Sequence, residues 1–225
     1  MFGLWFMEGD LKFSSIIARI CASILVIIVI LPLREISHIW LSHLFSGRKF
    51  NIRSYPFLSF FDPLGAFFML LFGYGWPKRF PYFVEEPNNK TEYILVYAIG
   101  PIFSFILSIL LCMTRNLFML FIIFNVSTTL WIIEFITYLI EISIILTVID
   151  LLPVPPLDGF KICEAFIPRK FVSKYLEHRF VIGLVVSLLF LFGFFNGPLK
   201  ILMDAVYSSV MKISNIPFML FKGAH

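Results

Sequence analysis

The chain is expected to fold as an all-α integral membrane protein, a multi-span helical bundle with a short extended or hairpin element near residues 48–60. Three observations lead there. Of the 225 residues, 60% are hydrophobic and 18% aromatic, with a mean hydropathy of +0.93. A soluble domain of this length has no interior large enough for that much apolar surface. Several apolar runs reach the roughly 20 residues that a helix needs to cross a bilayer. Between them lie proline-rich breaks, and lipid tolerates irregular backbone only where protein or a water-lined cavity satisfies it. No internal repeat or low-complexity linker divides the chain, so residues 1–225 read as one membrane domain.

The first span is read over 14–33, in an apolar run that continues to Leu44 with Pro32 as its breaker. Pro32 removes a backbone donor and should kink the helix. The run has no basic start and no small-residue cleavage pattern, so it is not read as a cleavable signal. Residues 47–59 are polar and basic, with Phe50 and Ile52 alternating against Asn51 and Arg53. That alternation is the basis for the extended element. The apolar segment 63–74 is too short to cross and reads as re-entrant or buried. Further spans are read over 93–113, 129–149 and 180–197, with a weaker apolar stretch over 201–221. Gly100-Pro101 interrupts one of them, and a proline-dense break runs from Asp150 to Gly159.

The net charge of +4 matters less than its placement. Arg48, Lys49, Arg53, Lys78, Arg79 and Lys90 fall between the first two full spans. Lys161, Arg169, Lys170, Lys174 and Arg179 fall between the third and fourth. If 63–74 does not cross, both loops share one side, and basic loops favour the cytoplasm. These charges are read as topology determinants and lipid-headgroup contacts, which makes the bilayer the partner and argues against nucleic acid. Cys21, Cys112 and Cys163 form no C-x-x-C pair, which argues against a disulfide framework and against Cys-ligated zinc.

Chemistry is concentrated at two places. Residues 34–38 read Arg34-Glu35-Ile36-Ser37-His38. In H-E-x-x-H, positions i and i+4 share a helix face and hold one zinc, with the Glu as general base. A catalytic zinc takes three protein ligands and a water, whose pKa it lowers. Glu35 and His38 are in register for those roles. Arg34 is not a ligand, because a guanidinium has no lone pair to offer. His43 lies about 140° from His38 around the helix and does not replace it. It reads as interfacial. Asp158 is the candidate third ligand, projected from the proline-rich break, against a bland reading as a turn or capping residue.

Together these features resemble the site-2 protease family, the intramembrane zinc metalloproteases, and in particular its short bacterial and archaeal branch. The resemblance spans roughly residues 14–200. Glu35-Ile36-Ser37-His38 is similar to the second half of the zinc helix, and Phe61-Asp62-Pro63-Leu64-Gly65 to an H-x-D-P-L-G-like segment. Ala98-Ile99-Gly100-Pro101 is similar to an A-G-P turn. Residues 150–159, including Pro155 and Pro156, are similar to an N-L-L-P-x-P-P-L-D-G element. The resemblance implies Glu35 as catalytic residue, His38 and Asp158 as metal ligands, and zinc as cofactor. It implies a bacterial or archaeal cell membrane. It also marks Arg34, Asp150, Ser104, Asp62, Pro155 and Pro156 as associated with the site. Four departures stand out. Arg34 replaces the first zinc histidine, and Phe60 and Phe61 stand where a histidine precedes D-P-L-G. Ser104 and Asp150 each replace an Asn.

Two functions follow. One is a non-proteolytic homologue, a pseudoprotease that binds transmembrane segments or partner proteins. The other is a working zinc endopeptidase that cuts transmembrane helices with a further, unidentified ligand. Residue chemistry favours the first, since two ligands hold zinc weakly and Arg34 repels it. A transporter is the third reading. It rests only on Glu134 and Glu141, seven residues apart on one helix face within an apolar span. Their bland reading is as interfacial or hydrogen-bonded carboxyls.

Overall fold

The computed structural model describes residues 13–80, 82, 90–120, 126–154, 157–168, 171–172 and 196–222. Its helices are α1 (Phe13–Leu25), α2 (Leu31–Phe45), α3 (Pro63–Phe72), α4 (Lys90–Leu120), α5 (Val126–Asp150), α6 (Asp158–Glu164) and α7 (Asn196–Lys222), and no strand occurs among the described residues. Three helical stretches among these are long and apolar enough to cross a membrane: Phe13–Phe45, Lys90–Met119 and Val126–Asp150. The chain is an integral membrane protein of the all-α class. The span expected over 180–197 lies almost wholly outside the described residues, and the stretch 201–221 lies within α7.

α1 and α2 form one rod, joined by a wider π-turn over Val26–Ile30 in which the Leu31 amide bonds five residues back to Val26 O. The turn lies just before Pro32, whose ring clashes with the carbonyl four residues back in a regular helix. Widening the turn absorbs the proline without ending the helix. The first span therefore runs on to Phe45 and presents residues 34–38 as regular helix.

α5 is the central helix. From Leu139 to Asp150 every residue but Glu141 is buried, as expected of a helix that is apolar all round. Ala18, Ala22 and Val26 of the first rod pack on its Tyr138, Leu139, Ile142 and Leu146. Small residues four apart let the two axes approach closely. Cys112 of α4 and Leu199, Met203 and Val210 of α7 pack on its Ile136, Ile140, Ile144 and Ile145. Glu134 belongs to the α1–α5 contact. Tyr138 Oη donates to Glu134 Oε1 at 2.8 Å, and the Arg19 guanidinium lies 4.6 Å from the Tyr138 ring centroid. Its carboxyl is thus hydrogen-bonded within α5, to the tyrosine that Arg19 of α1 covers.

Residues 48–60 make no β-ladder. Ile52–Ser54 and Phe57–Phe60 are 3-10 turns, with extended backbone at single residues such as Asn51 and Phe61. Asn51 Oδ1 accepts from the Arg53 amide at 3.1 Å, and Pro56 leads into the second turn. Local side-chain capping and a fixed proline φ outweigh the alternating pattern here. Asp62 Oδ1 then caps α3, accepting from the Leu64 and Gly65 amides at 2.9 and 3.1 Å, with Pro63 at the first helical position. At ten residues, α3 is too short to span.

α3 ends at Gly73, which adopts φ 69°, and residues 74–80 return along it without helix or strand. The return is backbone against backbone. A Cβ on Gly65 would lie 2.0 Å from Trp76 O, and one on Gly75 would lie 2.1 Å from Gly65 O. Only paired glycines permit this approach. The Lys78 amide donates to Phe60 O at 2.8 Å. The 60–80 segment thus closes on itself and carries residues 78–80 toward α2.

Candidate functional site

Three segments meet on the inner face of α2. The first is the end of α5, which supplies Asp150. The second is the start of α6, which supplies Asp158. A Cβ on Gly159 would fall 2.3 Å from Leu151 O and 2.6 Å from Leu152 O. The missing side chain lets the break fold back on the end of α5, and so sets Asp158 beside Asp150. The third is the 74–80 return with Tyr82.

Arg34 is 3% exposed, and Asp150 and Asp158 are 1% and 0% exposed. One nitrogen of Arg34, Nη2, lies 2.5 Å from Asp158 Oδ2 and 2.7 Å from Asp150 Oδ2. Arg79 Nη2 approaches the other oxygen of Asp158, Oδ1, at 2.8 Å. One carboxylate therefore holds two guanidiniums, and one guanidinium bridges two carboxylates. The contacts to Asp150 Oδ2 and Asp158 Oδ1 are close ion pairs whose N–H directions are not aligned as hydrogen bonds. Burial opposes charge on Asp158, but the Arg34 and Arg79 guanidiniums outweigh it and hold the carboxyl below the usual carboxylate range.

Glu35 faces the return segment. Its Oε1 accepts from the Phe80 amide at 3.0 Å, and Tyr82 Oη donates to Oε1 and Oε2 at 2.9 and 3.0 Å. Burial, and then the neighbouring Glu35 carboxylate, push the Tyr82 phenol well above its usual range, so it keeps the proton it donates. His38 Nδ1 lies 2.6 Å from Val96 O. A carbonyl only accepts, so Nδ1 carries the proton and Nε2 keeps its lone pair. Nε2 points toward Asp158 Oδ2, 3.6 Å away. The Tyr82 ring stacks on the His38 ring, with centroids 5.4 Å apart.

α4 closes the site from the other side at Gly100. A Cβ there would lie 2.6 Å from His38 Nε2, 2.7 Å from Asp158 Oδ2 and 2.8 Å from Arg34 Nη2. Gly100→Ala is thus expected to force the ion pair apart. Overpacking in a filled interior costs about 1–3 kcal/mol, and a thermal melt in detergent should register it. An unchanged melting temperature would mean that the helix shifts away freely.

The structure brings together Arg34, Glu35, His38, Asp150 and Asp158. Asp62 is the α3 cap. Ser104, one turn beyond Gly100 on α4, is buried with a hydroxyl that has no hydrogen-bond partner among the described residues. Pro155 and Pro156 lie outside the described residues. His43 is buried within the protein, with Nδ1 at 2.9 Å from Ile39 O. Sequence reasoning missed Arg79, Tyr82 and the Phe80 amide. Arg79 was read as a topology charge, yet it is an ion-pair partner in the site.

Zinc does not fit these residues as they are arranged. His38 Nε2 and Asp158 Oδ2 have the separation of two donors about 2 Å from one ion. The same Oδ2 already faces the Arg34 cation. No group of three or more His, Cys, Asp or Glu side chains able to hold a metal occurs among the described residues.

A family model described as Peptidase family M50 matches residues 116–194, which include the 150–159 element and exclude residues 34–38. A Bacillus subtilis (strain 168) protein, "Putative zinc metalloprotease YwhC", is 24% identical over 207 residues, covering 87% of this chain and 91% of that one. No solved structure matches the chain.

Proposed function

The chain belongs to the site-2 protease family, peptidase family M50, and from that premise we propose that it is a non-proteolytic member that binds transmembrane segments or partner proteins in a bacterial or archaeal cell membrane. The observation that carries this reading is the place of Arg34. Its Nη2 lies 2.5 Å from the Asp158 oxygen that faces His38. A fixed cation there opposes a second cation, and no third donor compensates among the described residues. Glu35, the residue that would accept a proton from water, is engaged by Tyr82 and the Phe80 amide.

The competing reading is a working zinc endopeptidase. It draws on the relative's name and on Glu35 and His38 standing in register. One pair of measurements separates the two. Elemental analysis of the purified full chain should find zinc well below one per chain. A model transmembrane substrate should be cut no faster by the parent than by Glu35→Gln. Stoichiometric zinc together with Glu35-dependent cleavage would establish the protease instead.

A further inference from the structure

We infer that the cleft beside Glu35 and His38 is a peptide-binding site, and that it is filled in cis by residues 78–80 and Tyr82 of its own chain. The ligand class can be read from the contacts. Asp158 takes a cation, here Arg79, at 2.8 Å. Glu35 takes a backbone N–H, here that of Phe80, and a hydroxyl, here that of Tyr82. His38 takes an aromatic face, again from Tyr82, whose other neighbour is the Tyr97 ring at 5.4 Å. The occupant is an irregular, non-helical segment with a basic residue three places before an aromatic one. It is anchored at one end by the Lys78 amide on Phe60 O and by the Phe80 ring between Phe60 and Tyr55, at 5.0 and 5.5 Å.

Two physical features make this an occupied site and not a chance contact. The polar contacts of Arg79, the Phe80 amide and Tyr82 all fall on two carboxyls, Asp158 and Glu35, of the degenerate motif and its partner, and bonds to carboxylates are of the charge-assisted class. The segment is also tethered, so it competes as if present at millimolar concentration, and a free transmembrane segment must displace it to reach Glu35. The burial of Glu35 and His38, each 2% exposed, accompanies this cover. Neither zinc nor cleavage enters into the occupancy.

Thiol accessibility in the full chain, reconstituted in nanodiscs with Cys21→Ala, Cys112→Ala and Cys163→Ala, tests it. The reporter is Tyr97→Cys, beneath Tyr82, and the reagent is a charged thiosulfonate. Exposed Lys49→Cys is the reference. With the segment intact, Tyr97→Cys should label much more slowly than Lys49→Cys. Adding Arg79→Ala and Tyr82→Ala should raise its rate at least about tenfold, the factor expected from losing one charge-assisted hydrogen bond, and leave Lys49→Cys unchanged. Tyr82→Phe keeps the ring and removes the two bonds to Glu35, so it should give a smaller rise. It also serves if the double variant does not fold. Equal labelling of the two reporters with the segment intact would overturn the proposal, as would no rise in either variant. Zinc content and cleavage are read separately, so failure here does not count against the pseudoprotease reading.

Discussion

Asp158→Ala is expected to destabilise the protein by about 3–5 kcal/mol, the usual cost of removing one partner from a buried ion pair. The carboxylate is fully buried and faces Arg34 on one oxygen and Arg79 on the other. Truncation leaves Arg34 with Asp150 alone and takes from Arg79 its one ion-pair partner among the described contacts. An arginine cannot shed its charge, so Arg34 stays a buried cation with one anion in place of two, while Arg79 keeps 31% of its side chain exposed. The cost therefore falls on the fold. The contact also joins three segments distant in sequence, so its loss should loosen the start of α6 and the 74–80 return together. Thermal or denaturant unfolding in detergent measures the change. Asp158→Asn, which keeps the acceptor oxygen and the volume, should fall between. If Asp158→Ala and the parent unfold alike, the two guanidiniums have found water or lipid headgroups, and the cluster holds nothing together.

Much of this site was legible before any coordinates, for one physical reason. A polar residue at membrane depth must meet another polar group. Residues 34–38 and 150–159 both carry such groups inside apolar sequence, so their meeting could be expected although 124 positions separate Arg34 from Asp158. The apolar runs likewise announced α4 and α5. Arg79 was hidden because a basic residue near a span looks the same whether it faces headgroups or turns inward. What turns it inward is the Gly65–Gly75 backbone contact, a tertiary feature with no periodicity to read. The nearest available clue was the short apolar α3 followed by glycines, which returns the chain to the depth at which it entered. The alternation at 50–53 suggested a strand, but Asn51 caps its own turn and no neighbouring strand offers a ladder among the described residues. Gly100 was visible as part of a turn. Its role as the floor of the ion pair needed the distances.

A metal and a guanidinium stabilise paired carboxylates differently. A metal ion takes lone pairs at about 2 Å from any suitably placed donor and can leave when chelated. Arginine cannot be removed, carries its charge at every accessible pH, and offers fixed N–H directions. Here those directions serve Asp158 well and Asp150 less well, since the second contact is close but not aligned. The tie between α2 and the 150–158 break is therefore permanent, where a metal site would make it conditional.

Arg34→Ala should be about as damaging as Asp158→Ala, again about 3–5 kcal/mol, because it leaves a buried carboxylate without its cation. Arg34 is 3% exposed, and the one nitrogen in contact with both aspartates goes with it. Arg79 still covers Asp158 Oδ1, so the larger share of the loss should arise at Asp150. That division is testable. Adding Asp150→Asn to Arg34→Ala should recover part of the stability, and the two changes should be clearly non-additive, as contacting residues are. Arg34→His is the more telling variant. It sets imidazoles at i and i+4 on α2, facing Asp158, and supplies the third donor that zinc requires. Its melting temperature should rise with added zinc, by up to about 2.7 kcal/mol of stability at a hundredfold excess over the dissociation constant, and should fall again with a chelator. The parent should respond to neither. If Arg34→Ala melts with the parent, the guanidinium is not the tie. If the parent also gains stability from zinc, the cation at position 34 does not stand in the metal's place.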